Sequence, residues 1–433
     1  MSTPFFKPRA IALLSLLALA TTGAVGCAAD EGDDNTASSQ EDGSSRDDIT
    51  QVKHTKVKRQ SIGNCWIYAT QSWAEALHRA ATNTEVNTSE SYLTYWHWFE
   101  QLANGQTDDA IETGGFWGTA VDLISRYGMM AEGDFITNEA SAEMSNRQKQ
   151  ALDALNASLK TGVLKDPRLR RDRGIVRKEL DRVWGLDQAQ IARLDTVFGK
   201  AVERTIDRSA TAKDAAPANK IIRAEDFTIR LFDPQSKAPT NGTLADAIGK
   251  SSGFLGTRQG KFAFNEVDYP TGERQRRDFW KRVQRALHDE IPVVTSWKVD
   301  FNALTRDSRF SFEELSRKGP GKQGGHMTVM HDYEADVPGL GLLKAGVPAT
   351  REQMNAALSD DTQIRFVRVK NSWGGIRPDR WDTAAIMGYH DMEWNYLNGP
   401  IKECQDGPDG VTDPTKCNST IVPLWDVVLP AGY

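Results

Sequence analysis

Long apolar runs are scarce in this chain of 433 residues. The run from Ala10 to Ala20 is too short for a helix that stays across a bilayer. Basic blocks are absent, and the net charge is −6, so the composition excludes a nucleic-acid binder of the ordinary kind. Cysteine is sparse, with four in all, and histidine numbers seven. His331 and Asp332 have no third ligand at useful spacing, which excludes a metal centre there. Asp406, Asp409 and Asp413 match no calcium-loop spacing. No cofactor or metal is expected.

Two segments precede the expected folded part. Lys7 and Arg9 lead into the apolar run, and Ala24-Val25-Gly26-Cys27 follows, as in a secretory signal. A cysteine after small residues at that distance looks like a bacterial lipoprotein signal. That resemblance implies cleavage before Cys27, a lipid on its thiol, and a place in the bacterial cell envelope, periplasmic or surface-exposed. A plain secretion signal is the alternative. Residues 28–50 carry eight acidic side chains and one Arg among Ser, Gly and Asn. They cannot form a core and read as an acidic disordered tether spanning roughly 25 Å. With the tether's −7 and the signal's +2 set aside, residues 51–433 are nearly neutral.

What is present is concentrated around Cys65. It lies in Gln60-Ser61-Ile62-Gly63-Asn64-Cys65-Trp66, followed by Ile67, Thr70, Trp73, Ala74 and Leu77 at helical spacing. The sulfur therefore falls at a helix N-terminus, where unpaired N–H groups and the dipole favour a thiolate. The Gln60 amide can donate to an oxyanion. A buried structural cysteine is the plainer reading of Cys65 taken alone. Downstream, Gly324-Gly325-His326 opens an apolar run, and the strand-like Arg365 to Lys370 ends in Asn371-Ser372-Trp373-Gly374. Cysteine, histidine and asparagine in that order suit a nucleophile, a base and an orienting group.

These segments together resemble a papain-like cysteine peptidase. The resemblance implies a two-lobed α+β fold and hydrolysis of peptide bonds. Gln60, Cys65, His326 and Asn371 match the family's oxyanion donor, nucleophile, base and orienter, and Trp373 its shielding tryptophan. Only four residues separate Gln60 from Cys65, where the family has five. Asn87 to Leu93 and the stretch from Thr113-Gly114-Gly115-Phe116-Trp117 to Tyr127-Gly128 are similar to the bleomycin hydrolase branch. In the family the second glycine pairs its backbone with substrate, a role that Gly115 inherits, with Gly114 beside it. An ordinary turn is the alternative at the glycine pair.

The rest follows the same plan. Cys65 and His326 are 261 residues apart, and residues of about 138–220 read as an insertion of roughly three helices. The pattern predicts a helix over 277–288 and a core strand from Ile291 to Trp297. Residues 334–361 read as an added loop with a short helix near Glu352. Cys404 and Cys417 flank a Gly-, Pro- and Asp-rich loop in an exported chain and are expected to form a disulfide. No propeptide is apparent before Gln60. The branch holds its C-terminus in the cleft, which implies aminopeptidase action and a homo-oligomer. Trp425-Asp426 echoes a Trp-Asp pair near that branch's end, while Val427 to Leu429 fit a final core strand equally well. Endopeptidase action and a catalytically silent surface-binding lipoprotein are the alternatives. The expected partners are a peptide or protein substrate, and a membrane through Cys27.

Overall fold

The computed structural model describes residues 52–107, 109–207, 216–252, 257–375, 386–406 and 412–433. The expected signal, its Cys27 and the acidic tether lie outside these. Among the described residues no helix is long and apolar enough to cross a membrane.

Helix α1 (Cys65–Thr82) begins at the cysteine itself. Its apolar stripe, Ile67, Trp73, Ala74 and Leu77, is fully buried with Thr70, and Asn83 closes the helix at φ 55°. Helix α2 (Glu90–Ala103) starts where the Ser89 hydroxyl accepts the Tyr92 N–H, the usual device for an orphan first-turn donor. Its run Tyr95-Trp96-His97-Trp98 is core: Trp96 stacks on Tyr127 of α3 (Trp117–Tyr127), with ring centroids 4.0 Å apart. Three more helices follow within the expected insertion: α4 (Asn146–Thr161), α5 (Arg173–Trp184) and α6 (Gln188–Phe198). Each is capped by a side chain accepting a first-turn N–H, from Ser145, Asp172 and Asp187 respectively. α4 and α5 pack on α2. Together these helices make one lobe.

The other lobe is an eight-stranded sheet. In chain order its strands are β1 (Phe264–Asp268), β2 (Val293–Asp300), β3 (Arg309–Phe310), β4 (Gln323–Val337), β5 (Gly341–Leu343), β6 (Gln363–Lys370), β7 (Tyr389–Glu393) and β8 (Leu424–Pro430). They run β1-β8-β2-β4-β6-β7-β3, with β5 on the far end of β4. All pairs are antiparallel except β7 with β3. Helix α7 (Glu273–His288) covers β2 and β4 through Phe279, Val283 and Leu287. The lobes meet where α1 lies against β4 and where Trp73 packs on Phe264 of β1 at 5.0 Å.

Two expectations change. Residues 334–361 are not simply an added loop: β4 runs on to Val337 and folds back through Ala335↔Leu343, leaving only the helix at Arg351–Ala356 as expected. The C-terminus is also not a free tail. Val427 and Val428 are buried in β8, between β1 and β2. Tyr433 is pinned beyond it by donating to Asp289 (2.6 Å) and packing on Phe232. Phe232 belongs to a hairpin strand, Thr228–Phe232, whose Arg230 reaches Ala80 O. That places Tyr433 toward the C-terminal end of α1, about 27 Å from Cys65 by helical rise.

Candidate active site

Gly63 and Asn64 turn the chain into α1, and the Asn64 side chain leaves the helix N-terminus uncapped. Its amide instead donates to Thr94 Oγ1 and to Gln148 Oε1 of α4, both at 3.0 Å. The first-turn N–H groups thus remain beside the Cys65 sulfur, as an oxyanion pocket requires. The Met327 N–H of β4 donates to that sulfur at 3.3 Å, so the contact crosses from lobe to lobe. Cys65 is fully buried and disulfide-bonded. This departs from the thiol expected from the sequence, and the nucleophilic chemistry belongs to the reduced side chain.

His326 immediately precedes Met327 on β4. Its Nε2 lies 2.7 Å from Asn371 Oδ1, and Asn371 follows the last residue of β6. The Asn371 amide is itself oriented: Oδ1 also accepts the Ser372 N–H at 2.7 Å, and Nδ2 lies 3.3 Å from His390 Nδ1. An amide oxygen only accepts, so His326 Nε2 carries the proton and Nδ1 the lone pair. Nδ1 is buried without a hydrogen-bond partner. It is therefore the atom left to take a proton from a thiol. Burial lowers His326 to about 4, partly offset by the Asn371 hydrogen bond, so the ring is a neutral base at neutral pH.

Trp373 stacks on the His326 ring, with centroids 4.7 Å apart and planes at 22°, and Phe301 stacks on its other side at 5.4 Å. The histidine–asparagine bond therefore sits behind an aromatic wall. Gln60 is fixed by three contacts. Its N–H donates to Ser372 O at 2.8 Å, its Oε1 accepts from Ser372 Oγ at 2.6 Å, and its Nε2 donates to Ile62 O at 2.9 Å. One Nε2 hydrogen remains for an oxyanion. The strand before Gln60 is held by Lys58, whose buried ammonium meets Glu90 at 2.7 Å, Glu132 at 2.5 Å and Thr88 O at 2.7 Å. Burial alone would lower the Lys58 pKa; the two carboxylates more than offset it.

Gly114 is buried and Gly115 half-buried. A Cβ on Gly115 would lie 2.5 Å from the Trp66 ring, and Trp66 Nε1 donates to Thr113 O at 2.8 Å. The close approach that requires glycine here is to Trp66, the residue after the nucleophile. Cys404 and Cys417 are disulfide-bonded. Their loop docks on β4 three residues before His326, with Gln323 Oε1 accepting the Cys404 N–H at 3.0 Å.

The structure thus gathers Gln60, Cys65, His326, Asn371 and Trp373 along one seam between the lobes, with Gly115 against Trp66. Sequence reasoning gave no role to Ser372, which orients both Gln60 and Asn371, although it stands inside the Asn-Ser-Trp-Gly run. His390 and Phe301 carried no local signal at all.

No family model matches the chain, and no curated protein sequence matches it. Among solved structures, the chain is similar to PepW from Lactobacillus rhamnosis, at 12% identity and a TM-score of 0.42, over 88% of this chain and 80% of that one. Xylellain, a cysteine protease from Xylella fastidiosa, gives 12% identity and a TM-score of 0.33 over 93% and 95%. A structure from a study of the mite allergens Blo t 1 and Der p 1 gives 10% and 0.32 over 93% and 74%.

Proposed function

We propose that this chain is a cysteine peptidase that cleaves internal peptide bonds through a Cys65 thioester. His326 Nδ1 takes the Cys65 proton, the sulfur attacks the carbonyl carbon, and the Cys65 N–H and Gln60 Nε2 receive the oxyanion. The protonated His326 then gives its proton to the leaving amine. Water, deprotonated by the same nitrogen, attacks the thioester carbonyl and releases the acid and the Cys65 thiol. The observation that carries this reading is His326 itself: one nitrogen is fixed by Asn371, and the other is buried without a partner.

Action on internal bonds is favoured over aminopeptidase action by the C-terminus. An exopeptidase anchored on its own terminal carboxylate needs that group near Cys65, and Tyr433 is held toward the other end of α1. Incubation with matched free and N-acetylated peptides under reductant, with products mapped by mass spectrometry, tests both. Internal cuts in acetylated peptides support the reading. Removal of single residues from free peptides alone replaces it with aminopeptidase action.

The lipoprotein reading is part of the same proposal: Cys27 carries a diacylglyceryl group and holds the peptidase at the bacterial envelope. Intact-mass analysis of the membrane fraction tests it, and an unmodified Cys27 counts against it.

A further inference from the structure

Three carboxylates lie together on the face of the sheet that looks at the helical lobe. Glu266 and Asp268 alternate with Phe264 along β1 and so share its face. Phe264 packs on Trp73 of α1 at 5.0 Å, and Glu266 accepts the N–H of Gly118 in α3. Asp426 of β8 stands directly opposite Asp268, and Ser296 of β2 stands opposite Asp426. Residues opposite each other in a ladder point to one side.

None of these three carboxylates forms an ion pair among the described residues. Arg258, nearby on the sequence before β1, pairs instead with Asp122 at 2.7 Å. The Asp426 carboxylate takes one hydrogen bond from Ser296, and its Oδ1 is buried with no partner. An unsatisfied carboxylate oxygen in a low-dielectric place is costly unless a donor arrives. Burial, with Glu266 and then Asp268 adding to it, pushes the Asp426 carboxyl up to about 7.

The register relates this cluster to the nucleophile. Asp426 is opposite Ser296, and Ser296 is opposite Met327. Two strand spacings make about 10 Å. The Met327 N–H touches the Cys65 sulfur. An extended peptide whose carbonyl meets Cys65 can therefore put a long side chain, or its amino terminus, at Asp426. Among the described residues no group of three acidic, histidine or cysteine side chains has the geometry to hold a metal ion. The cluster suits a cation on a flexible stem instead.

We propose that Asp426, supported by Glu266 and Asp268, binds an ammonium or guanidinium group of the substrate and makes the enzyme selective for cationic peptides. This rests on the peptidase reading above. Two sources share that chemistry, a Lys or Arg side chain and a free amino terminus. The ammonium or guanidinium donates to Asp426 Oδ1 as a charge-assisted bond.

The test compares peptides carrying one Arg, one Lys or one Leu at each position before a single cleavable bond, each free and N-acetylated. Wild type should prefer the Arg or Lys peptide, in kcat/KM, by roughly tenfold at one position. Persistence of that preference after acetylation assigns it to the side chain, and its loss assigns it to the amino terminus. Asp426→Asn should bring the ratio near one, and Glu266→Gln should reduce it. Equal cleavage of all three peptides in both series overturns the proposal, as does an undiminished preference in Asp426→Asn. Calorimetric binding of the same peptides separates the two readings. If no peptide is cut, tighter binding of the cationic one still supports the acidic site, and equal binding overturns it.

Discussion

His326 Nε2 and Asn371 Oδ1 face each other at 2.7 Å although 45 residues separate them in sequence. The two side chains have different duties. His326 must exchange the proton, while Asn371 sets its ring and tautomer. His326→Ala should therefore cut kcat/KM by about 10³-fold, within the span for a lost general base. Asn371→Ala should cost less. Because the Asn371 hydrogen bond raises the His326 pKa, its removal should also move the acid limb of the pH–rate profile to lower pH. The reverse order of the two variants, or an unmoved limb, would show that Asn371 does not position the ring.

Gly115 offers a test of packing at the seam. A methyl group there would sit 2.5 Å from the Trp66 ring. Gly115→Ala should destabilise the fold by about 1–3 kcal/mol, the usual range for overpacking. It should also lower activity, since Trp66 adjoins Cys65. Chemical denaturation that shows no loss of stability would mean that the 113–115 segment moves away freely.

Acid should weaken the fold through its buried histidines. Burial lowers His97 to about 3, and His288 and His326 to about 4, from an ordinary value of 6.5. Between about pH 6.5 and these values the unfolded chain binds more protons than the native one, so stability falls as pH falls. Buried carboxyls with raised pKa, such as Asp426, act in the opposite sense. A single-site comparison isolates the histidine contribution. The Tm advantage of wild type over His97→Gln should narrow from pH 6.5 to pH 4. A constant gap contradicts the assignment.

The Cys404–Cys417 loop should act on stability first. Its residues are 13 apart, and closing a loop near this size contributes about 3 kcal/mol in the chain-entropy picture. Replacing both cysteines by Ala should lower stability by that order. It should also loosen the Gln323 contact that anchors β4 ahead of His326. Unchanged denaturation midpoints would refute the estimate.

Much of the site was legible because its residues sit in short local motifs. The helical spacing after Cys65, the strand before Asn371 and the Gly-Gly-His turn each reveal a local structure that the fold keeps. The reading failed where long-range pairing decides. Val427 to Leu429 fit a core strand or a cleft-bound tail equally well, and only pairing with both β1 and β2 selects the strand. Residues 334–337 have no turn signal strong enough to show that β4 continues to meet β5. The oxidised state of Cys65 has no local signature either. Nor could spacing show that Asp426 of the Trp425-Asp426 pair lies two strands from Met327.

The central claim is that reduced Cys65 is a nucleophile activated by His326. Alkylation by a limiting amount of iodoacetamide after mild reduction, followed by peptide mapping, tests it most directly. Labelling should fall on Cys65, abolish peptide hydrolysis in step with its extent, and slow markedly in His326→Ala. Hydrolysis that survives complete Cys65 labelling, or that persists in a folded Cys65→Ser variant, would contradict the account.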